Sequence, residues 1–168
     1  DPYYYIQSTL DTNEKERAGL SNIDKARDEI NKNLNRRVRV AVLDSGSFKH
    51  EDVNFSNEGY DFTTITGEKD NNGNYKPKFR DNNPTAEGIS NSGNKCVSGH
   101  GLAVSALIGA TADNGKGIVG MIPSSYIDLI PARVLFCGIG EEELTQGKTS
   151  DVAAAILWAS GYVVEGVP

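Results

Sequence analysis

The stretch "VRVAVLDSG", residues 38–46, decides the fold. Val38 to Leu43 is apolar and largely β-branched apart from Arg39, the pattern of a strand buried on both faces, as in a parallel sheet. The strand runs into Asp44 and then a Ser-Gly turn. A carboxylate at the lip of a buried sheet needs a partner or a task. By itself Asp-Ser-Gly is good turn chemistry, because short polar side chains bond nearby N–H groups and Gly takes positive φ. Anything beyond a turn has to come from the rest of the chain.

Upstream, residues 1–20 are polar and irregular, with a Tyr cluster at 3–5. Ser21-Asn22-Ile23-Asp24 resembles a capping signal, and Ile23, Ala26, Arg27 and Ile30 at helical spacing predict a short amphipathic helix over 22–33. Downstream, residues 63–99 are rich in Asn, Asp, Gly and Lys and have almost no aliphatic side chains. They read as a long surface excursion, uncommon inside a compact domain and often functional or tied down by an ion or a bridge. From 100, "HGLAVSALIGATA" is small and apolar and predicts a helix packed tightly on a sheet, broken by "DNGKG". "GIVGMIP" and "YIDLIPARVL" read as buried chain, with a strand over 126–135 and a polar loop over 138–149. Thr149-Ser150-Asp151 is an N-cap cluster for the helix "DVAAAILWAS", and Gly161 is its C-cap. Strand, helix, strand, helix implies an open α/β sheet with right-handed crossovers, whose ligands sit outside the carboxyl ends of the strands. Asp44 stands at one such end.

Composition narrows the function. The 168 residues fit one domain or a large piece of a bigger one. A net charge of −6 argues against nucleic acid as a partner, since its phosphates would be repelled. No apolar stretch approaches the roughly 18 residues of a membrane span, and "DPYYYIQ" is not a secretory leader, so an exported protein would already have lost one. Two cysteines, Cys96 and Cys137, with two histidines do not make a zinc site. They leave two free thiols or one disulfide, and the acidic, Asn- and Gly-rich composition leans toward an oxidising compartment.

His100 lies in "SGHGLAVSA", at the start of the small-residue helix and between Gly99 and Gly101. If it neighbours Asp44, the carboxylate fixes one imidazole nitrogen and leaves the other as a base. Such a unit requires a nucleophile, normally a Ser. "VRVAVLDSG" with His50-Glu51-Asp52-Val53 resembles the aspartate block of the subtilisin-like serine proteases, the subtilases. "SGHGLAVSALIGATADNGKGIVGMIP" resembles their histidine block, "IDLIPARVLFCG" and "SDVAAAILWASG" the next strand and helix, and "DPYYYIQSTL" the mature N-termini of the secreted bacterial branch.

The resemblance implies the N-terminal part of a three-layer subtilisin-like α/β fold with a mostly parallel sheet, and a secreted serine endopeptidase acting on peptides or proteins. Asp44 would orient His100, and His100 would be the general base and then the general acid. His50 matches a structural position. Leu135 matches a position lining a substrate pocket, and the loop 145–149, with Lys148 and Thr149, matches the edge that pairs with an extended peptide. Cys96 and Cys137 match a bridge of the secreted branch. The family's Gly-Thr-Ser block does not occur in these residues, nor does the strand that would carry its oxyanion-hole Asn. The expectation is therefore that residues 1–168 are the light chain of one peptidase domain, completed by a C-terminal chain that carries the Ser and the Asn. Leu102 and Ala103 replace the family's usual Thr and bulky or His residue beside the catalytic histidine, which keeps an inactive binding module as a rival. A second rival, an α/β domain using Asp44 to hold magnesium or a phosphoryl group, leaves His100 without a role and lacks a phosphate-cradling loop.

Oxygen ligands at alternate positions, Asp70, Asn72 and Asn74 and then Asp81 and Asn83, suit calcium, and the spacing is not that of an EF-hand. Secreted subtilases often bind calcium in such loops. In "TADNGKG", whose family counterpart is a calcium loop closing onto the N-terminal segment, Asp113 would be the ligand. The ion's role would be stability rather than chemistry.

Overall fold

The computed structural model describes residues 1–3, 7, 23–33, 36–89, 95–137 and 145–168. Its elements run α1 (Ile23–Asn33), β1 (Val38–Asp44), β2 (Tyr60–Asp61), β3 (Ile65–Lys69), β4 (Tyr75–Pro77), β5 (Glu87–Ile89), β6 (Lys95–Val97), α2 (His100–Gly109), β7 (Ile127–Arg133), β8 (Phe136–Cys137), β9 (Thr145–Gln146) and α3 (Thr149–Ala159). β1, β7 and β2 form a three-stranded sheet in that order, with β7 central. β2 lies parallel to β7, with Tyr60 opposite Ala132 and Asp61 opposite Arg133. The parallel pairing and the alternation with helices make this an α/β fold, and α1, β1, α2, β7 and α3 fall where the sequence puts them.

The described chain forms two compact units: Asp1–Val40 with Lys49–Phe55 and Ala103–Leu129, and Ala41–Phe48 with Ser56–Leu102 and Ile130–Pro168. The first buries Val53, Ala110, Val119, Ile127 and Leu129. Its buried carboxylate, Asp52, accepts from Asn114 Nδ2 at 2.8 Å and from the N–H of Ile118 at 3.1 Å, so the charge is solvated by the protein itself. Arg37 holds the start of β7 through Asp128 at 2.6 Å and the carbonyl of Ser125 at 2.8 Å.

The second unit carries the larger core, in which Tyr60, Phe62, Ala132, Val134, Ala154 and Ala155 are buried and Leu43, Leu135, Val152 and Trp158 pack against them. Two alanines on the inner face let α3 come close, and Trp158 fills the remaining space against Phe62, ring centroids 5.3 Å apart. α3 closes with Gly161 N–H to Trp158 O at 2.9 Å and Tyr162 N–H to Leu157 O at 3.0 Å, and Gly161 takes φ +85°. That is the Schellman stop expected at this glycine. Asp61, which is 1% exposed, accepts from Arg133 Nη1 at 3.1 Å, Lys78 Nζ at 2.6 Å and both the N–H and hydroxyl of Thr63. A buried charge with four donors is compensated rather than stranded.

Three expectations change. β1 is not buried along its length: Val38 and Arg39 are exposed, and burial sets in only toward Val42 and Asp44. Residues 63–99 are not a structureless excursion, since they contain the antiparallel hairpins β3–β4 and β5–β6. These strands are only three to five residues long, too short for an apolar alternation to announce them. Finally, Thr149-Ser150-Asp151 do not cap α3. Lys148 holds the N-cap position without a side-chain bond, and the buried Asp151 turns to Thr64, accepting from its N–H and hydroxyl at 3.0 Å each. A carboxylate in the first helical turn still meets the favourable end of the dipole.

Candidate active site

Asp44 ends β1 and is fixed at both its backbone and its side chain. Its carbonyl accepts from the N–H of Val134 at 2.9 Å and of Leu135 at 3.2 Å. Its carboxylate accepts from the N–H of Ser45 at 2.6 Å. Both carboxylate oxygens then face His100 Nδ1, at 2.7 and 2.8 Å. A carboxylate only accepts, so Nδ1 donates, and Nε2 is the nitrogen left for other chemistry. The Asp44 side chain is 11% exposed, whereas that of His100 is 66% exposed. The acid is shielded and the base faces outward, the division of labour that an orienting group and a proton acceptor need.

The turn and the helix start that carry this pair dock backbone to backbone. Gly46 has φ +94°, and a Cβ there would lie 2.3 Å from the carbonyl oxygen of Pro84. A Cβ on Gly101 would lie 2.2 Å from the Gly46 carbonyl oxygen. Glycine at both positions permits an approach that no other residue allows. Ser45, 2% exposed, completes the joint: its hydroxyl accepts from Gly101 N–H at 3.0 Å and lies 3.4 Å from the Ser98 carbonyl. A serine outside α2 thus satisfies one of that helix's otherwise unpaired first N–H groups. Sequence reasoning took Ser45 only as a turn residue, although its place between Asp44 and Gly46 was the available signal.

Leu135, half-buried, stands just beyond β7 and shares the Asp44 carbonyl with Val134. The chain returns to it at Gly147, where a Cβ would lie 2.7 Å from Leu135 Cδ2. Lys148 is exposed and donates to the Thr64 hydroxyl at 3.3 Å, and Thr149 opens α3, also exposed. The three residues expected to meet substrate therefore lie on one tract that begins beside Asp44. His50 accepts from the N–H of Asp52 at 3.2 Å, a local turn contact in the other unit.

The residues expected to hold calcium are differently engaged. Asp70 Oδ1 accepts from the N–H groups of Asn72 and Asn74, at 2.9 Å each. These bonds, led by that of Asn74, hold its carboxyl below the ordinary 3.8. Asp81 Oδ1 accepts from Asn83 N–H at 2.8 Å, and its Oδ2 lies 3.6 Å from the Lys78 ammonium. Asn83 Oδ1 accepts from Thr85. Asp113, at φ +58°, donates its N–H to Asp1 Oδ2 at 2.7 Å, and Asn114, Gly115 and Lys116 donate theirs to Asp1 Oδ1. Four N–H groups turned to one carboxylate form an anion nest, filled here by Asp1. Among the described residues no three His, Cys, Asp or Glu side chains gather as metal ligands. The side chains of Cys96 and Cys137 lie outside the described residues. Their backbones belong to neighbouring ribbons, since Cys96 is in β6, which pairs with β5, and β5 lies beside β8, which ends at Cys137.

Comparison with known proteins adds an independent line. A model of the subtilase family matches residues 35–161. The chain is 36% identical over 140 residues to an extracellular protease of Xanthomonas campestris pv. campestris, which covers 77% of this chain and 21% of that protein. It is 31% identical over 146 residues to an extracellular basic protease of Dichelobacter nodosus, covering 78% of this chain and 22% of the relative. The chain thus spans about a fifth of the length of these relatives.

Proposed function

Because this chain belongs to the subtilase family, we propose that it supplies the acid–base half of a secreted serine endopeptidase. The observation that carries the proposal is the contact of both Asp44 oxygens with His100 Nδ1 at 2.7 and 2.8 Å, beside an outward-facing ring. In this reading His100 Nε2 takes the proton of a serine hydroxyl as that oxygen attacks the scissile carbonyl. Asp44 steadies the imidazolium, and His100 then gives the proton to the leaving amine. The serine and the oxyanion-hole Asn come from sequence outside these 168 residues, on a C-terminal chain or segment. Peptides and proteins are the substrates, with Leu135, Lys148 and Thr149 along the binding tract. The names of the two relatives support an extracellular setting. Among the described residues no helix is long and apolar enough to cross a membrane.

Two accessory features belong to the same proposal. A Cys96–Cys137 bridge would tie the β5–β6 hairpin to β8, and the adjacency of those strands supports it. Calcium enters only as a stabiliser, on the oxygen-donor chemistry of Asp70, Asn72, Asn74, Asp81 and Asn83.

The deciding experiment is His100→Ala in the full-length protein. The expected loss of kcat is on the order of 10⁶-fold, typical of removing the base of a serine triad, with an unchanged circular dichroism spectrum. Labelling by a fluorophosphonate probe should disappear with it. Peptide cleavage at the parent rate would end the proposal. Leu102 and Ala103, which depart from the family's pattern beside the histidine, favour a second reading as an inactive binding module. Failure of the parent protein itself to take the probe would select that reading.

A further inference from the structure

One side chain joins the β3–β4 hairpin to the β8–β9 ribbon. Phe136 and Gln146 are cross-strand partners in that ribbon. Tyr75, the first residue of β4, touches both. Its ring meets Phe136 edge-on with centroids 5.2 Å apart, and its hydroxyl lies 3.2 Å from Gln146 Oε1, to which it donates. The Lys69 ammonium sits 4.9 Å from the centre of the Tyr75 ring. Phe136 is buried and Gln146 exposed, so Tyr75 bridges from the core to the outer strand. Among the described residues β9 pairs with β8 alone, which leaves the backbone groups of its other edge unpaired by any strand. Just past β9, Gly147 packs on the Val134 carbonyl, whose N–H is bonded to Asp44. The open edge therefore runs on toward the candidate active site.

We propose that Tyr75 is a positioning residue for extended substrates: by clamping Phe136 and Gln146 it holds in register β9, the edge that the subtilase resemblance already assigns to an extended peptide. The inference rests on the peptidase reading given above. A two-residue strand in a two-stranded ribbon is marginal without outside support. Clamping the cross-strand pair by ring and hydroxyl together removes an ordering cost that a substrate would otherwise meet on binding. The chemistry at Asp44 and His100 does not use the hairpin. Only substrates long enough to reach β9 gain from Tyr75.

The test compares two chromogenic peptides with the full-length protein, one with a single residue before the scissile bond and one with four. Tyr75→Ala is expected to lower the ratio of kcat/KM, long over short, by about fivefold while the short substrate is cleaved as before. Tyr75→Phe keeps the ring on Phe136 and loses the bond to Gln146, so its ratio should fall between parent and Tyr75→Ala. A purely structural role would lower both substrates equally through loss of folded enzyme. An unchanged ratio, or an equal fall for both peptides, overturns the proposal. If the parent cleaves neither peptide, the peptidase reading fails first and this inference with it.

Discussion

Asp44 and Asp70 both head turns, and they have opposite fates. Asp44 opens Asp-Ser-Gly, and Asp70 opens Asp-Asn-Asn-Gly. Each accepts backbone N–H groups from the residues just after it, Asp44 from Ser45 and Asp70 from Asn72 and Asn74. Both are local side-chain-to-backbone bonds, although only Asp70 reaches the N–H two residues on that defines an Asx turn, while Asp44 takes that of its immediate neighbour. What differs is the setting. Asp44 is buried at the end of a strand, with a second set of lone pairs turned to an imidazole. Asp70 lies at the exposed tip of a hairpin, where the described bonds to its carboxylate come from backbone N–H groups. A carboxylate becomes chemically useful here through burial and a ring nitrogen, and the turn motif alone does not confer it.

The largest expected effect breaks that symmetry directly. Asp44→Asn should lower kcat by about 10⁴-fold, because the amide favours the wrong imidazole tautomer, while KM stays near its parent value. The same exchange at Asp70 should leave kcat/KM within about twofold, as for surface changes away from a site. Steady-state kinetics on the two variants decide it, and comparable losses in both would erase the distinction.

Ser45 sharpens the comparison at a smaller scale, because nothing equivalent follows Asp70. Ser45→Ala leaves the Gly101 N–H without the hydroxyl it bonds at 3.0 Å, in a buried joint. A stranded donor of this kind costs about 1–3 kcal/mol, part of it felt as a shift of the His100 helix against Asp44. The expected result is a fall in kcat of about tenfold, on the order of 1.4 kcal/mol. A kcat within twofold of the parent would make the serine a turn residue and nothing more.

The same contrast explains what could be read in advance. The apolar run into Asp44 and the small-residue helix behind His100 are strong local signals, and their resemblance to subtilase blocks supplied the pairing. The hairpins of residues 63–99 were illegible because their strands are too short and too polar to show a period of two. Alternating Asp70, Asn72 and Asn74 suggested cation ligands, yet the same spacing lets one carboxylate bond the N–H groups two and four residues on. Asp151 was misplaced as a cap because its partner, Thr64, is 87 positions away in the chain. No short window holds that information. Tyr75 and Gln146, 71 positions apart, were missed for the same reason.

The smallest effect concerns Asp70 itself and tests whether its turn is only a turn. The N–H of Asn74 first, and that of Asn72 after it, hold its carboxyl below the ordinary 3.8. A carboxyl lowered in the folded state contributes stability that is present above the unfolded value and lost as pH falls through the folded one. The contribution should therefore be intact at neutral pH, begin to fade as pH drops through the ordinary 3.8, and be gone only below the lowered folded value. Because the group is solvent-exposed, the global melting temperature should hardly move, and the effect should appear in local amide exchange. Asp70→Ala should speed exchange at Asn72 and Asn74 at neutral pH, and the gap from the parent should close in acid as the parent's own carboxyl protonates. Calcium adds a second arm to the same measurement. An ion that uses Asp70 would slow exchange at the hairpin tip and raise the melting temperature in the parent but not in Asp70→Ala. If calcium moves neither quantity in the parent, the hairpin holds its shape on backbone hydrogen bonds alone, and Asp70 is the structural counterpart of Asp44 without its chemistry.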